Sequence, residues 1–101
     1  MNDLDIIEPE ELKKKLEHHE NIFLLDVRTP EEFQDYKIED SVNIPINELQ
    51  RRMDEIPKDK EIITICEHGN RSLRAAYVLN KNGYKALSLT GGMEAWNQLY
   101  F

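Results

Sequence analysis

Cys66, the only cysteine of this 101-residue chain, ends the run Glu61-Ile62-Ile63-Thr64-Ile65 and leads directly into Glu67-His68-Gly69-Asn70-Arg71-Ser72. A single thiol forms no internal disulfide and cannot by itself make a structural zinc site, so it is either inert filling or a reactive group. Its position favours reactivity. In open α/β sheets ligands gather beyond the carboxyl ends of the strands, and Cys66 follows such an end. The residues after it can curl so that backbone N–H groups converge on the sulfur, with Gly69 supplying the backbone freedom that a tight curl needs. Unpaired N–H groups in the first turn of a following helix add partial positive charge at the same place. Both effects favour a thiolate, the nucleophilic form of cysteine. Ser72 could donate a hydrogen bond to the sulfur. Arg71 has two roles open to it, bracing the loop through carboxylates or carbonyls and binding an incoming anion. A lone cysteine at a strand end is, in most proteins, a small buried hydrophobe. Filling of that kind has no use for Gly, Asn, Arg and Ser within the next six positions.

The elements that must position this loop follow from an alternation of short apolar runs with segments of helical spacing, which predicts an α/β fold with a largely parallel sheet. Residues 4–7 read as a short first strand, and residues 8–19 as a helix with Pro9 in its first turn and acids ahead of bases. Residues 21–27 are apolar on both parities, as in a strand covered on both faces. Thr29 can cap a short helix beginning at Pro30 and Glu31, and residues 40–45 contain a small strand ended by Pro45. Ile46, Leu49, Met53 and Ile56 form one apolar stripe and predict an amphipathic helix over residues 46–57. A second buried strand is expected at 61–65, a helix from Ser72 to Asn82 closed by Gly83, a last strand at 85–89 and a terminal helix from Gly91.

Composition narrows the function classes. Hydrophobic residues make up 40% and charged residues 33%, which supports a folded domain over a disordered chain. The length fits one domain spanning residues 1–101. Net charge is −7, with 13 acids and 5 bases in residues 1–40 against 7 and 8 in residues 41–101. Phosphate backbones are bound by clustered Lys and Arg. The only such clusters, Lys13-Lys14-Lys15 and Arg51-Arg52, are short and read more simply as solvated faces, so nucleic-acid binding is not expected. The first residues carry acids where a secretory signal has lysines and a long apolar stretch, and no apolar run is long enough to span a bilayer. A cytoplasmic protein without membrane contact is expected. His18 and His19 are adjacent and so point to different faces of their helix, which argues against a metal site, and nothing calls for a cofactor.

Four segments in order, residues 24–33 (LLDVRTPEEF), 42–49 (VNIPINEL), 66–72 (CEHGNRS) and 89–96 (LTGGMEAW), resemble the rhodanese-like superfamily, in particular a single-domain rhodanese. The reactive loop of that family, Cys-x-x-Gly-x-Arg-Ser/Thr, is filled at every specified position. The resemblance implies a central parallel sheet of about five strands with helices on both faces. It also implies sulfur transfer: Cys66 takes sulfane sulfur from thiosulfate, a polysulfide or a protein persulfide, and passes it to cyanide or an acceptor thiol. Two displacements through one covalent persulfide predict ping-pong kinetics. Carried over position by position, Cys66 is the nucleophile. Glu67, His68, Gly69, Asn70 and Arg71 cradle the outer sulfur through their backbone, Ser72 supports it, and Asp26 and Arg28 brace the neighbouring strand end by ion pairs. Gly91, Gly92 and Trp96 match the closing motif and read as a turn and a core aromatic.

The chain departs from the family pattern in two informative places. Tyr36-Lys37 and Glu39-Asp40-Ser41 flank Ile38, where the family commonly has Gly-His and Pro-Gly-Ala. Glu67 places a carboxylate one residue from the sulfur, where it should oppose an anionic donor and weaken thiosulfate use. His68 is read as a tuning residue, because attack by a thiolate on sulfane sulfur requires no proton removal. Two other functions compete. One is a sulfur-carrying or regulatory module that docks with a partner enzyme, the acidic half steering toward a basic surface. The other is a cysteine-dependent phosphatase or arsenate reductase. Those enzymes use Cys-x5-Arg, whereas four residues separate Cys66 from Arg71, a shorter ring that suits a sulfur atom better than a tetrahedral oxyanion.

Overall fold

Each strand of the sheet grows from one of the short apolar runs, and the computed structural model describes them across residues 5–101. The elements are β1 (Ile6–Ile7), α1 (Pro9–Glu17), β2 (Ile22–Asp26), α2 (Pro30–Asp35), β3 (Val42–Asn43), β4 (Glu61–Ile65), α3 (Asn70–Lys81), β5 (Lys85–Leu89) and α4 (Gly92–Tyr100). All strand pairs are parallel and their order is β1-β5-β4-β2-β3, which puts β4 in the middle. Leu4, part of the expected first strand, lies outside the described residues. Among the described residues no helix is long and apolar enough to cross a membrane.

Alternate residues of a strand point to opposite faces of the sheet, and the two cores follow that rule. Leu25 and Ile62 join Ala75, Ala76 and Leu79 of α3 on one face. Leu24, Ile63 and Ile65 join Leu12 of α1 with Met93 and Trp96 of α4 on the other. The sheet is therefore covered on both sides, as continuous apolar runs require. Local signals start the helices. Glu11 Oε1 accepts the Glu8 N–H at 3.2 Å ahead of Pro9. Thr29 and Glu32 cap α2 reciprocally, the Glu32 N–H donating to Thr29 Oγ1 at 3.2 Å and the Thr29 N–H to Glu32 Oε1 at 3.0 Å.

The expected helix over residues 46–57 does not form. Two single 3₁₀ turns, Ile46–Glu48 and Met53–Glu55, take its place. The apolar stripe is real, since Leu49 and Ile56 are buried, but the segment is pinned at separate points. The Ile46 N–H donates to the Val27 carbonyl, and the Tyr84 hydroxyl donates to the Met53 carbonyl. Short 3₁₀ turns meet such anchors where a regular helix would carry the chain past them. The helix after Cys66 begins at Asn70, two residues ahead of expectation.

Where β5 leads into α4, two consecutive glycines, Gly91 at φ 73° and Gly92 at φ 60°, turn the chain back against the end of β4. The approach at Gly92 is so close that a Cβ there would lie 2.3 Å from the Cys66 carbonyl oxygen and 2.6 Å from that of Glu67. Met93 and Glu94, with no acceptors inside their own helix, donate their N–H groups to those same carbonyls at 2.8 and 3.0 Å. Gly92→Ala is accordingly expected to lower stability in urea unfolding by about 3 kcal/mol, combining backbone strain with overpacking. A loss below about 0.5 kcal/mol, the usual size for surface changes, would contradict this contact.

Candidate active site

At the end of β4 the chain reaches Cys66 and then reverses through Gly69, whose φ of 104° is left-handed. That curl points two backbone N–H groups at one atom: Gly69 donates to Cys66 Sγ at 3.1 Å and Ser72 donates to it at 3.2 Å. The N–H groups of Glu67, His68, Asn70 and Arg71 find no acceptor among the described residues. Cys66 is only 1% exposed and packs within the apolar cluster on the α3 face. Its polar shell distinguishes it from filling. Besides the two amides, Ser72 Oγ lies 3.3 Å from the sulfur and 2.8 Å from Ser88 Oγ, and both serines are buried.

A second layer holds charge beneath the loop. Arg28 is fully buried, and its Nε and Nη2 donate to both carboxylate oxygens of Asp26 over 2.8 to 3.1 Å. Burial presses the guanidinium toward neutrality, but Asp26 outweighs it and the group is held above its ordinary value, with a smaller lift from Glu67. Nη2 also donates to the Tyr36 carbonyl, and Nη1 lies 3.5 Å from Glu67 Oε1. Asn43 closes this layer, its Nδ2 donating to the carbonyls of Asp26 and Arg28 at 3.0 and 2.9 Å.

The two departures from the family pattern meet in space. The Tyr36 hydroxyl lies 2.8 and 2.7 Å from the two carboxylate oxygens of Glu67 and donates to that group. The Glu67 carboxylate in turn lifts the Tyr36 phenol above its usual range. Arg28 sits 5.2 Å from the Tyr36 ring centre, so phenol, carboxylate and guanidinium form one unit.

Arg71 takes the bracing geometry. Its two terminal nitrogens donate to the two oxygens of Glu32 at 2.8 and 3.0 Å, tying the reactive loop to α2. The Arg71 guanidinium holds the Glu32 carboxyl down at about 2, and Glu32 lifts Arg71 above its ordinary value. His68 leans outward, with Nδ1 2.7 Å from Glu94 Oε2 and both side chains more than half exposed.

Seven of the residues singled out in the sequence, Cys66 through Ser72, thus form one continuous turn from β4 into the start of α3, with Asp26 and Arg28 directly behind it. Trp96 belongs to the opposite core, where its ring packs on Tyr100 at 4.5 Å. Sequence reasoning passes over Glu32, Asn43 and Ser88, notes Tyr36 only as a departure from the family pattern, and treats Gly92 as a turn only. Glu32 carries a local signal, standing three residues after the Thr29 cap, but nothing local names Arg71 as its partner.

Known proteins resemble this chain along nearly its whole length. A family profile described as a rhodanese-like domain matches residues 8–99. A sulfurtransferase of Allochromatium vinosum is 38% identical over 91 residues, which span 89% of this chain and 85% of that protein. The putative sulfurtransferase YtwF of Bacillus subtilis is 38% identical over 85 residues, 84% of this chain and 82% of that one. The crystal structure of a rhodanese-related protein from Thermoplasma volcanium superposes with a TM-score of 0.88 at 32% identity, covering 95% of this chain and 93% of the other. With its sheet order, its cysteine loop and a match along nearly its whole length, this chain belongs to the rhodanese-like domain family.

Proposed function

We propose that the protein is a sulfurtransferase that carries sulfane sulfur as a persulfide on Cys66. The convergence of the Gly69 and Ser72 N–H groups on one sulfur, at 3.1 and 3.2 Å, carries this reading. Amide donors stabilise an anionic sulfur more than a neutral one, which leaves a nucleophile at the strand end. The thiolate attacks the outer sulfur of a donor such as thiosulfate, a polysulfide or a protein persulfide. A bond forms from Sγ to that sulfur, the donor's sulfur–sulfur bond breaks, and the leaving sulfite or thiolate takes the bonding pair. Negative charge now rests on the outer sulfur of the persulfide. The free N–H groups of Glu67, His68, Asn70 and Arg71 are the protein's nearest unused donors in sequence, and they suit that charge. Cyanide or an acceptor thiolate then attacks the outer sulfur and releases the Cys66 thiolate, completing a ping-pong cycle.

At 1% exposure the resting sulfur is reached only when its surroundings give way, so compact or flexible donors are favoured. Glu67 adds an electrostatic filter. Tyr36 and Arg28 offset its charge without removing it, and an incoming dianion still meets a carboxylate beside the loop. Thiosulfate is therefore a poorer donor than a protein persulfide, whose reacting group carries at most one negative charge.

Intact-mass measurement after incubation with each donor is expected to show one added sulfur on the wild type and none on Cys66→Ser. Glu67→Gln is expected to raise kcat/KM for thiosulfate about five-fold, the effect of removing one partly screened charge, while changing that for a protein persulfide less. A wild-type preference for thiosulfate that the substitution does not alter would overturn the filter. The Arg71 brace predicts an acid response. Because Glu32 titrates near 2 in the folded state, the pair stabilises fully above about 4.5 and the contribution fades as pH falls toward 2. Glu32→Gln should remove about 1 kcal/mol of stability at neutral pH, a figure reduced for solvent screening of this half-buried pair, and should flatten the loss between pH 4.5 and 2. Equal acid limbs for both proteins in urea unfolding would contradict the brace.

A further inference from the structure

Behind the reactive sulfur, β5 contributes a hydroxyl that the transfer cycle does not use. Ser88 is 2% exposed, and its Oγ lies 2.8 Å from the Oγ of fully buried Ser72. We infer that Ser88 is a positioning residue for the reaction: its hydroxyl fixes the direction of a hydrogen-bond chain that presents the single proton of Ser72 to Cys66. The inference rests on Cys66 being the sulfur carrier and adds a residue that acts on it through Ser72.

The direction follows from proton counting. A serine hydroxyl has one proton and two lone pairs. Among the described residues the only hydrogen-bond partner of Ser88 Oγ is Ser72 Oγ. If Ser72 were the donor in this bond, the Ser88 proton would be buried without an acceptor, at a cost of about 1–3 kcal/mol. Ser88 therefore donates and Ser72 accepts. The Ser72 proton is left free to choose between the Gly69 carbonyl at 3.2 Å and the Cys66 sulfur at 3.3 Å. The backbone of Ser72 is held beside this pair, because its carbonyl accepts the Thr64 hydroxyl at 2.7 Å, and Thr64 is the register partner of Ser88 across β4 and β5.

Both protonation states of the sulfur are satisfied by this chain. With a thiol, the S–H donates to the second lone pair of Ser72 Oγ, and the Ser72 proton turns to the Gly69 carbonyl. With a thiolate, the Ser72 proton turns to the sulfur, where the charge strengthens the bond. During transfer the same rotation follows the charge. Once Sγ has bonded to the incoming sulfur and the leaving group has departed with the electron pair, charge sits on the outer sulfur and the Ser72 proton returns to Gly69. The acceptor's attack reverses it. No proton leaves the chain in either half of the cycle. Donation by Ser88 polarises Ser72 and strengthens its bond to the thiolate, so loss of the Ser88 hydroxyl weakens thiolate stabilisation without touching the sulfur.

The test is the rate of Cys66 alkylation by iodoacetamide as a function of pH, with thermal unfolding of each variant alongside. Ser88→Ala is expected to lower the rate near neutral pH about two- to three-fold, with the high-pH plateau unchanged, as a cooperative contribution requires. Ser72→Ala should lower it about ten-fold through loss of a charge-assisted bond, and Ser72→Ala/Ser88→Ala should fall no further than Ser72→Ala alone. Ser88→Thr, which keeps the hydroxyl, should restore the wild-type profile. A Ser88→Ala profile that superimposes on wild type, falls equally at all pH values, or adds in full to the effect of Ser72→Ala would overturn the inference. Intact mass of donor-treated wild type separates the two levels: an unmodified wild-type Cys66 defeats the carrier reading, and with it the role given to Ser88. A persulfidated wild type with an unaltered Ser88→Ala profile defeats the positioning role alone.

Discussion

Two backbone N–H groups trained on a single sulfur atom are the constraint that the rest of this structure serves. Backbone donors cannot be moved by rotating a side chain, so the path of the chain itself must be fixed. Gly69 provides the left-handed turn, β4 supplies a rigid platform in mid-sheet, and Gly92 at the start of α4 closes down on the carbonyls of Cys66 and Glu67 from the other side. Those two carbonyls accept the first free N–H groups of α4, which leaves the loop's own N–H groups facing no internal competitor. A cysteine used as filling would need none of this.

Charge beneath the loop meets the same demand by other means. A fully buried arginine is costly to desolvate, and Asp26 offsets that cost only because its carboxylate takes up the Nε and Nη2 donors of Arg28 together. Removal of either partner leaves an uncompensated buried charge, so the pair fixes the end of β2 firmly. From there Arg28 reaches Tyr36 and Glu67, while Arg71 reaches Glu32. The reactive loop is thus tied to β2 and α2 by arginines that donate to the protein's own carboxylates.

Much of this was legible in the sequence because the signals are local. The apolar runs at 61–65 and 85–89 match β4 and β5 residue for residue, and Thr29-Pro30 marks the start of α2. The site loop is contiguous, so its residue types and spacing announce it. The segment 46–57 misled because a periodic stripe reports which residues face the core and says nothing of the anchors at Val27 and Tyr84 that break the helix into turns. Partners separated by 16 to 39 residues stayed hidden for a related reason: Ser72 with Ser88, Tyr36 with Glu67 and Arg71 with Glu32 meet only through sheet order. Tyr36 and Glu67 each look like an isolated departure along the chain, and they become one feature in three dimensions.

The central claim concerns where the transferred sulfur resides, and amide NMR of the isotopically labelled protein before and after sulfur loading examines it most directly. The account predicts that loading shifts the backbone N–H signals of Glu67, His68, Asn70 and Arg71 downfield, as donors without partners acquire an anionic acceptor, while signals from the far end of the sheet stay in place. Loaded protein whose loop amides keep their original positions would contradict it.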